Sequence, residues 1–364
     1  MAQTYRAEQV GSLLRPPDLL EARARGAPAD ELRALEDAHI LRVLGRQRQL
    51  GLDIFTDGEL RRRNFMSDLV EAVEGFDLTQ GLPRDWKGQD QAPPPSAVTG
   101  IVTARLRQVR RLTAHEVAFL RQYSPGPFKI TLPSANQFPA IAFKRGVTDR
   151  VYPDHSALLW DIVPIVRREI AALLEEGVTY IQLDAPRYSY YIDPRWREYI
   201  RAEMGLEPDR ALDEAIQADN ACLEGARRRG VTIAFHLCRG NNRSQWYAEG
   251  GYDPIAEKVF TSLQVDRFLL EYDDERSGTF EPLRFVPPDK TVVLGLVSSK
   301  RPTLEPAEQL ARRIDEASRY VPLERLALSP QCGFASTMEG NLLSEEDQWA
   351  KLARVVEVAR RVWG

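Results

Sequence analysis

The apolar positions of the chain repeat one unit: an amphipathic helical stretch, a glycine, a short β-branched run, then a polar cluster. "RQRQLGLDIFTDGE" closes such a unit at Glu59, "ALLEEGVTYIQLDAP" at Pro186 and "ARRRGVTIAFHLC" at Cys238. Glycine suits the left-handed cap just past a helix end. The runs that follow are continuous in Val, Ile, Leu and Phe, as expected of parallel strands buried on both faces. "VDRFLLEYD" (265–273), "KTVVLGLVSS" (290–299) and "LERLALSPQCG" (323–333) continue the series, and "EQVGSLL" (8–14) and "FKITLPS" (128–134) precede it.

Eight such runs alternating with helices predict a (β/α)8 TIM barrel, an α/β fold, with residues 1–364 forming a single catalytic barrel. No G-x-G-x-x-G follows a strand, which removes the main support for a dinucleotide-binding sheet. Residues 76–110 break the repeat. They contain "KGQDQAPPPSAVTGIVTARLRQVR" and predict a proline-rich loop and an extended piece inserted over the barrel mouth. Pro164 is expected to kink the helix predicted over 155–176, whose apolar stripe includes Leu158, Leu159, Ile162 and Val166.

Charge changes the picture only by exclusion. With 49 basic and 53 acidic residues the net charge is −4, which gives no electrostatic basis for binding nucleic acid or an anionic membrane. No apolar run approaches the roughly 18 residues a spanning helix needs. "MAQTYRAEQVGS" lacks the apolar core of a secretory signal, and the three cysteines are scattered, so a reducing cytoplasm is expected.

A barrel gathers its chemistry at the C-terminal ends of its strands. Ser12, Glu59, Asp184, His236, Cys238, Glu271 and Cys332 all stand at predicted strand ends. In "FHLCRG" (235–240), His236 and Cys238 are two positions apart, so they share one strand face while Phe235 and Leu237 take the other. That pair alone fits an ordinary core as well as half a metal site. Cys332, at another strand end, tips it toward a metal. Two thiolates, one imidazole and one carboxylate suit Zn²⁺, and Glu271 or Asp273, which share strand parity, could supply the carboxylate. Two cysteinates and a carboxylate leave electron density on an added sulfur, favouring thiolate chemistry over water activation. Blander roles remain open at this level: Ser12 as a cap for the helix at Pro16-Pro17, and Glu59 and Asp184 as partners of arginines. Cys222, on the apolar stripe of a helix predicted over 211–228, is expected to be a small buried hydrophobe. His39, His115 and His155 are expected at the surface.

The stretches "VGS" (10–12), "DGE" (57–59), "QLDAP" (182–186), "HLCRGN" (236–241), "LLEYDDERSG" (269–278) and "SPQCGF" (329–334) resemble the catalytic barrel of the cobalamin-independent methionine synthase family, in its short single-barrel form. The resemblance implies that His236, Cys238, Glu271 and Cys332 bind zinc. It also implies that Ser12, Glu59 and Asp184 hold the amino-acid end of homocysteine, which is methylated by methyltetrahydrofolate or another donor. Epoxyalkane:coenzyme M transferases share the pattern and offer a different thiol. A metal-dependent hydrolase or lyase would want several histidines at strand ends, where only His236 stands. The family's proton-donating histidine after the seventh strand gives way to Val297 and Ser298, and its folate-stacking tryptophan has no counterpart near Pro139-Ala140-Ile141. Tyr190 is therefore expected as a substrate-binding residue, with Trp246 and the tyrosines of "RYSYYIDP" (187–194) offering a surface for a flat donor.

Overall fold

A computed structural model describes residues 4–82, 85–88 and 100–364. Strands β3 (Ile130–Pro133), β4 (Tyr180–Asp184), β5 (Thr232–Leu237), β6 (Arg267–Glu271), β7 (Thr291–Val297) and β8 (Leu326–Pro330) form one parallel sheet in that order. The two earlier strands, β1 (Val73–Asp77) and β2 (Ile101–Gln108), make a separate antiparallel hairpin.

The sheet closes through two irregular staves. Ala7 bridges in parallel to Leu328 of β8, and Phe55 bridges in parallel to Phe128 beside β3. Asp53 N–H donates to Ala7 O at 3.0 Å, joining the two staves to each other. The strands expected over 8–14 and up to Glu59 are thus single bridges rather than ladders. The cause is local: the Asp53 carboxylate accepts the backbone N–H groups of Arg6 (2.5 Å) and Ala7 (2.8 Å), so a side chain takes donors a ladder would use.

Strand parity sorts the side chains. Ile181, Leu183, Ile233, Phe235, Phe268, Leu270, Val292 and Leu294 join the main core with the surrounding helices. On the opposite parity, Tyr5, Val10, Ile54, Tyr180, Ala234, Leu269, Val293 and Ala327 form a second buried cluster inside the barrel. A polar chain runs through that interior. Arg267 and Tyr180 bond Glu8 (2.6 and 2.7 Å), Lys129 reaches Glu8 (3.3 Å) and Gln182 (2.8 Å), and Gln182 donates to Asp184 at 2.7 Å. Each charge of this interior network has an opposite or polar partner, which buried ions require.

The helix from His155 to Glu175 continues through Pro164, with Asp154 capping it by accepting from Ala157 N–H at 2.8 Å. The helix expected over 211–228 spans Pro208–Cys222, and Cys222 is buried against Val163. His155 is a correction to the surface expectation. It is buried, and its ring stacks on Phe143 at 4.1 Å.

The inserted segment does reach the barrel mouth. Lys87 and Trp246 exchange backbone hydrogen bonds of 2.6 and 2.9 Å, and the Trp86 ring meets Tyr247 edge-on at 5.3 Å. The proline run at 93–95 lies outside the described residues. Among the described residues, no helix is long and apolar enough to cross a membrane.

Candidate metal centre and substrate cavity

Parallel pairing sets the floor of the site. Asp184 lies opposite His236 across β4 and β5, and His236 lies opposite Leu269 across β5 and β6. His236 Nδ1 sits 3.2 Å from Leu269 O. That carbonyl only accepts, so the proton belongs on Nδ1 and the lone pair on Nε2. Nε2 is buried and has no hydrogen-bond partner. A metal is the chemistry such an atom lacks.

The sulfurs of Cys238 and Cys332 converge on it. One ligand atom each from His236, Cys238 and Cys332 lie within 4.8 Å of one another, and all three residues are buried. The closeness of the two sulfurs is the first cause that pushes the Cys238 thiol up and pulls the Cys332 thiol well down. His236 is also raised: burial opposes its charge, but the nearby Cys332 sulfur and the carboxylates of Asp184 and Glu271 outweigh that. Asn241 fixes the approach of the two loops, its Nδ2 donating to Gly333 O at 2.8 Å.

Glu271 is not part of this tight set. Its Oε2 accepts Arg239 N–H at 2.6 Å, while Oε1 has no hydrogen bond and lies 3.3 Å from Arg276 Nη2. The choice between Glu271 and Asp273 is nonetheless narrowed. Glu271 acts electrostatically on both His236 and Cys238, whereas the groups acting on Asp273 are Glu271, Lys300, Asp274 and Arg276.

Ser12, Glu59, Asp184, His236, Cys238 and Cys332 line one cavity, together with Trp86, Arg187, Asn241, Asn242 and Tyr247. Close packing holds the first two. A Cβ on Gly11 would come within 2.5 Å of Glu59 Oε1, and one on Gly333 would overlap Ser12 Oγ, so a side chain at either position would displace the site residue beside it. Glu59 has a φ of 54°, with its N–H held by Asp57 Oδ1 at 2.8 Å; strain of this kind is kept where a side chain must be aimed. Thr131 donates to Glu59 Oε1 at 2.8 Å, and Oε2 is buried without a partner. Asp184 is pushed up to about 7, by burial first and then by Glu59, against the pull of His236.

These contacts bear on the readings open in the sequence. Ser12 does not cap the helix Pro17–Ala24, whose cap position is Pro16. Asp184 is bonded by Gln182 and not by an arginine, whereas Glu59 does pair with an arginine, Arg62, at 3.8 Å. Tyr190 is placed behind the cavity wall. Its ring stacks on Trp196 at 4.1 Å, and it is not among the lining residues. Trp246 is not among them either; its ring lies under the Arg276 guanidinium at 4.2 Å. Trp86 takes the aromatic place at the mouth, and its one sequence signal was a tryptophan inside a proline-rich stretch.

Residues 19–361 match the family described as cobalamin-independent synthase, catalytic domain. The protein YxjH of Bacillus subtilis, described as uncharacterized, is 39% identical over 368 residues, covering 99% of this chain and 95% of that protein. A methionine synthase of Pyrococcus abyssi is 26% identical over 335 residues, covering 90% of this chain and 82% of that one. The crystal structure of a putative vitamin-B12 independent methionine synthase from Listeria monocytogenes superposes with a TM-score of 0.74 at 29% identity, over 100% of this chain and 99% of that one. The chain therefore belongs to the cobalamin-independent methionine synthase family and is an enzyme of the methyltransferase class.

Proposed function

We propose that the protein is a zinc-dependent homocysteine S-methyltransferase that forms methionine in the cytoplasm, with residues 1–364 acting as one catalytic barrel. The observation that carries the reading is the orphaned Nε2 of His236 facing two cysteine sulfurs at the floor of a cavity that also holds Glu59 and Asp184.

His236, Cys238 and Cys332 would hold the metal, and Glu271, with its unbonded Oε1, would supply the fourth donor. Bound there, Zn²⁺ supplies thiolate character at neutral pH to a substrate thiol whose free pKa is about 8.5. The protein's own side chains do the rest. Glu59 and Asp184 receive the ammonium of homocysteine, the unpartnered Glu59 Oε2 giving it an acceptor that is already desolvated. Asp184 has a second supporter in Gln182, which holds its Oδ1 and keeps the other oxygen available to substrate. Ser12, fixed between Gly333 and Ala335, borders the amino-acid end. Fixing that end places the sulfur and converts a bimolecular encounter into a positioned attack on the methyl donor. Tyr190 contributes by holding the ring of Tyr247 edge-on at 5.7 Å, and so supports substrate binding from behind the wall.

Purified protein given homocysteine and, in separate reactions, methyltetrahydrofolate, methylcobalamin and other methyl donors should form methionine with one of them. Absence of methionine with every donor would reject homocysteine methylation while leaving the metal centre to its own test.

A further inference from the structure

Arg187 is a buried arginine with no carboxylate partner among the described residues. Its Nε and Nη1 are buried and have no hydrogen-bond partner. Other buried arginines have side-chain or backbone acceptors. Arg62 is bonded by Glu116 and Thr131, and Arg239 donates twice to Gly250 O, at 3.0 and 2.6 Å. Arg267 pairs with Glu8 at 2.6 Å. Arg187 instead lies between two aromatic faces, with Tyr190 at 4.7 Å and Tyr247 at 4.6 Å from its guanidinium carbon. Stacking of this kind holds a guanidinium in place and leaves its N–H edge unused.

Arg187 belongs to the wall of the substrate cavity. A desolvated cation with unused donors, in a cavity that also contains the carboxylates of Glu59 and Asp184, is built for a ligand that brings its own negative charge. The carboxylates take the cationic end of such a ligand. Among the described residues no carboxylate pairs with Arg187, which leaves it to a ligand that enters the cavity. Asn242 Nδ2, a second unpartnered donor on the lining, adds to the same preference for an acceptor.

We propose that Arg187 is an anion-binding residue of the substrate cavity, receiving a carboxylate or sulfonate carried by one of the two substrates. The assignment deepens the reading of the cavity as a site of thiol alkylation and rests on it, but its test needs no turnover. Two sources share the chemistry: the acid group of the acceptor thiol and an acid group of the methyl donor.

Calorimetric binding to zinc-loaded protein separates them, using homocysteine, 2-mercaptoethanesulfonate, the acid-free 3-aminopropane-1-thiol and methyltetrahydrofolate as probes. Arg187→Met should weaken one acid-bearing probe roughly 10- to 100-fold and leave the acid-free thiol within about twofold, as expected for loss of a charge-assisted hydrogen bond. Loss confined to the acid-bearing thiols assigns the acceptor as the source, and loss confined to methyltetrahydrofolate assigns the donor. Arg187→Gln, which keeps polar atoms beside Tyr190 and Tyr247, serves the same purpose if methionine there unfolds the protein. Unchanged binding of every probe by the variant, or equal binding of acid-bearing and acid-free probes by the unaltered protein, would overturn the proposal. Loss of anion binding in Arg187→Met from an enzyme that makes no methionine would sink homocysteine methylation and leave the anion site standing.

Discussion

Cys332 brings a second sulfur to His236 and Cys238, and without it the orphaned nitrogen of His236 faces a single thiol. Cys332→Ser should lower the zinc bound per chain by at least roughly tenfold, whereas Cys222→Ser, remote in the helical layer, should leave it unchanged. Metal analysis after dialysis reads both, and equal zinc in the two variants would exclude Cys332. Glu59→Gln keeps the hydrogen bond from Thr131 but removes the charge offered at Oε2. It should raise KM for homocysteine by roughly 10- to 100-fold with zinc content unaffected, and an unchanged KM would remove Glu59 from the substrate site. At this scale the sequence was legible where spacing carries geometry: two positions on a strand put His236 and Cys238 on one face. It was silent where burial decides. Nothing in one dimension distinguished Arg187, which lacks a partner, from Arg276, which lies against three carboxylates. The burial of His155 and the withdrawal of Tyr190 behind Tyr247 are likewise products of packing.

Strands β3 to β8 were readable because buried parallel strands are continuous apolar runs bounded by glycine and polar clusters. The first two staves misled because Asp53 captures the donors of Arg6 and Ala7, a side-chain interaction that no hydrophobic pattern records. The inserted segment was recognisable as a break in the repeat, but its contact with Trp246 depends on a backbone pairing across 159 positions, from 87 to 246. Within the sheet, Gly295 of β7 marks the tightest packing. A Cβ there would stand 2.6 Å from Leu270 O and 2.8 Å from Gln331 Cα, both backbone atoms that cannot turn aside. Gly295→Ala should cost about 1–3 kcal/mol in denaturant unfolding, since overpacking must move a strand. A variant as stable as the parent would show that β6, β7 and the Cys332 loop are not in such close register.

Over the whole molecule, stability should respond to pH through one buried cluster beside the site. Arg62 faces Glu116 at 2.6 Å, Asp68 at 2.7 Å and Glu59 at 3.8 Å, so a single cation answers three carboxyl groups. Burial first, and then Asp68, pushes Glu116 up to about 7 against the pull of Arg62; burial likewise raises Asp68 to about 6. The folded state therefore binds protons that the unfolded chain has released, and their stabilising contribution declines as pH rises from about 4 to about 7. Glu116→Gln removes one of these sites. The stability of the variant relative to the parent should rise between pH 5 and pH 8, by on the order of 1–3 kcal/mol, and a relative fall would contradict the assignment. The barrel also explains why ligands so far apart in sequence could be foreseen as neighbours: closure brings every strand end to one rim.

The central claim is that His236, Cys238 and Cys332 hold a metal open to a substrate sulfur. Zinc K-edge absorption of the purified protein, before and after addition of homocysteine, tests it most directly. The account predicts two sulfurs at about 2.3 Å and an imidazole nitrogen at about 2.0–2.1 Å, with a third sulfur on adding homocysteine. A zinc shell without sulfur, or one that homocysteine leaves unchanged, would contradict it.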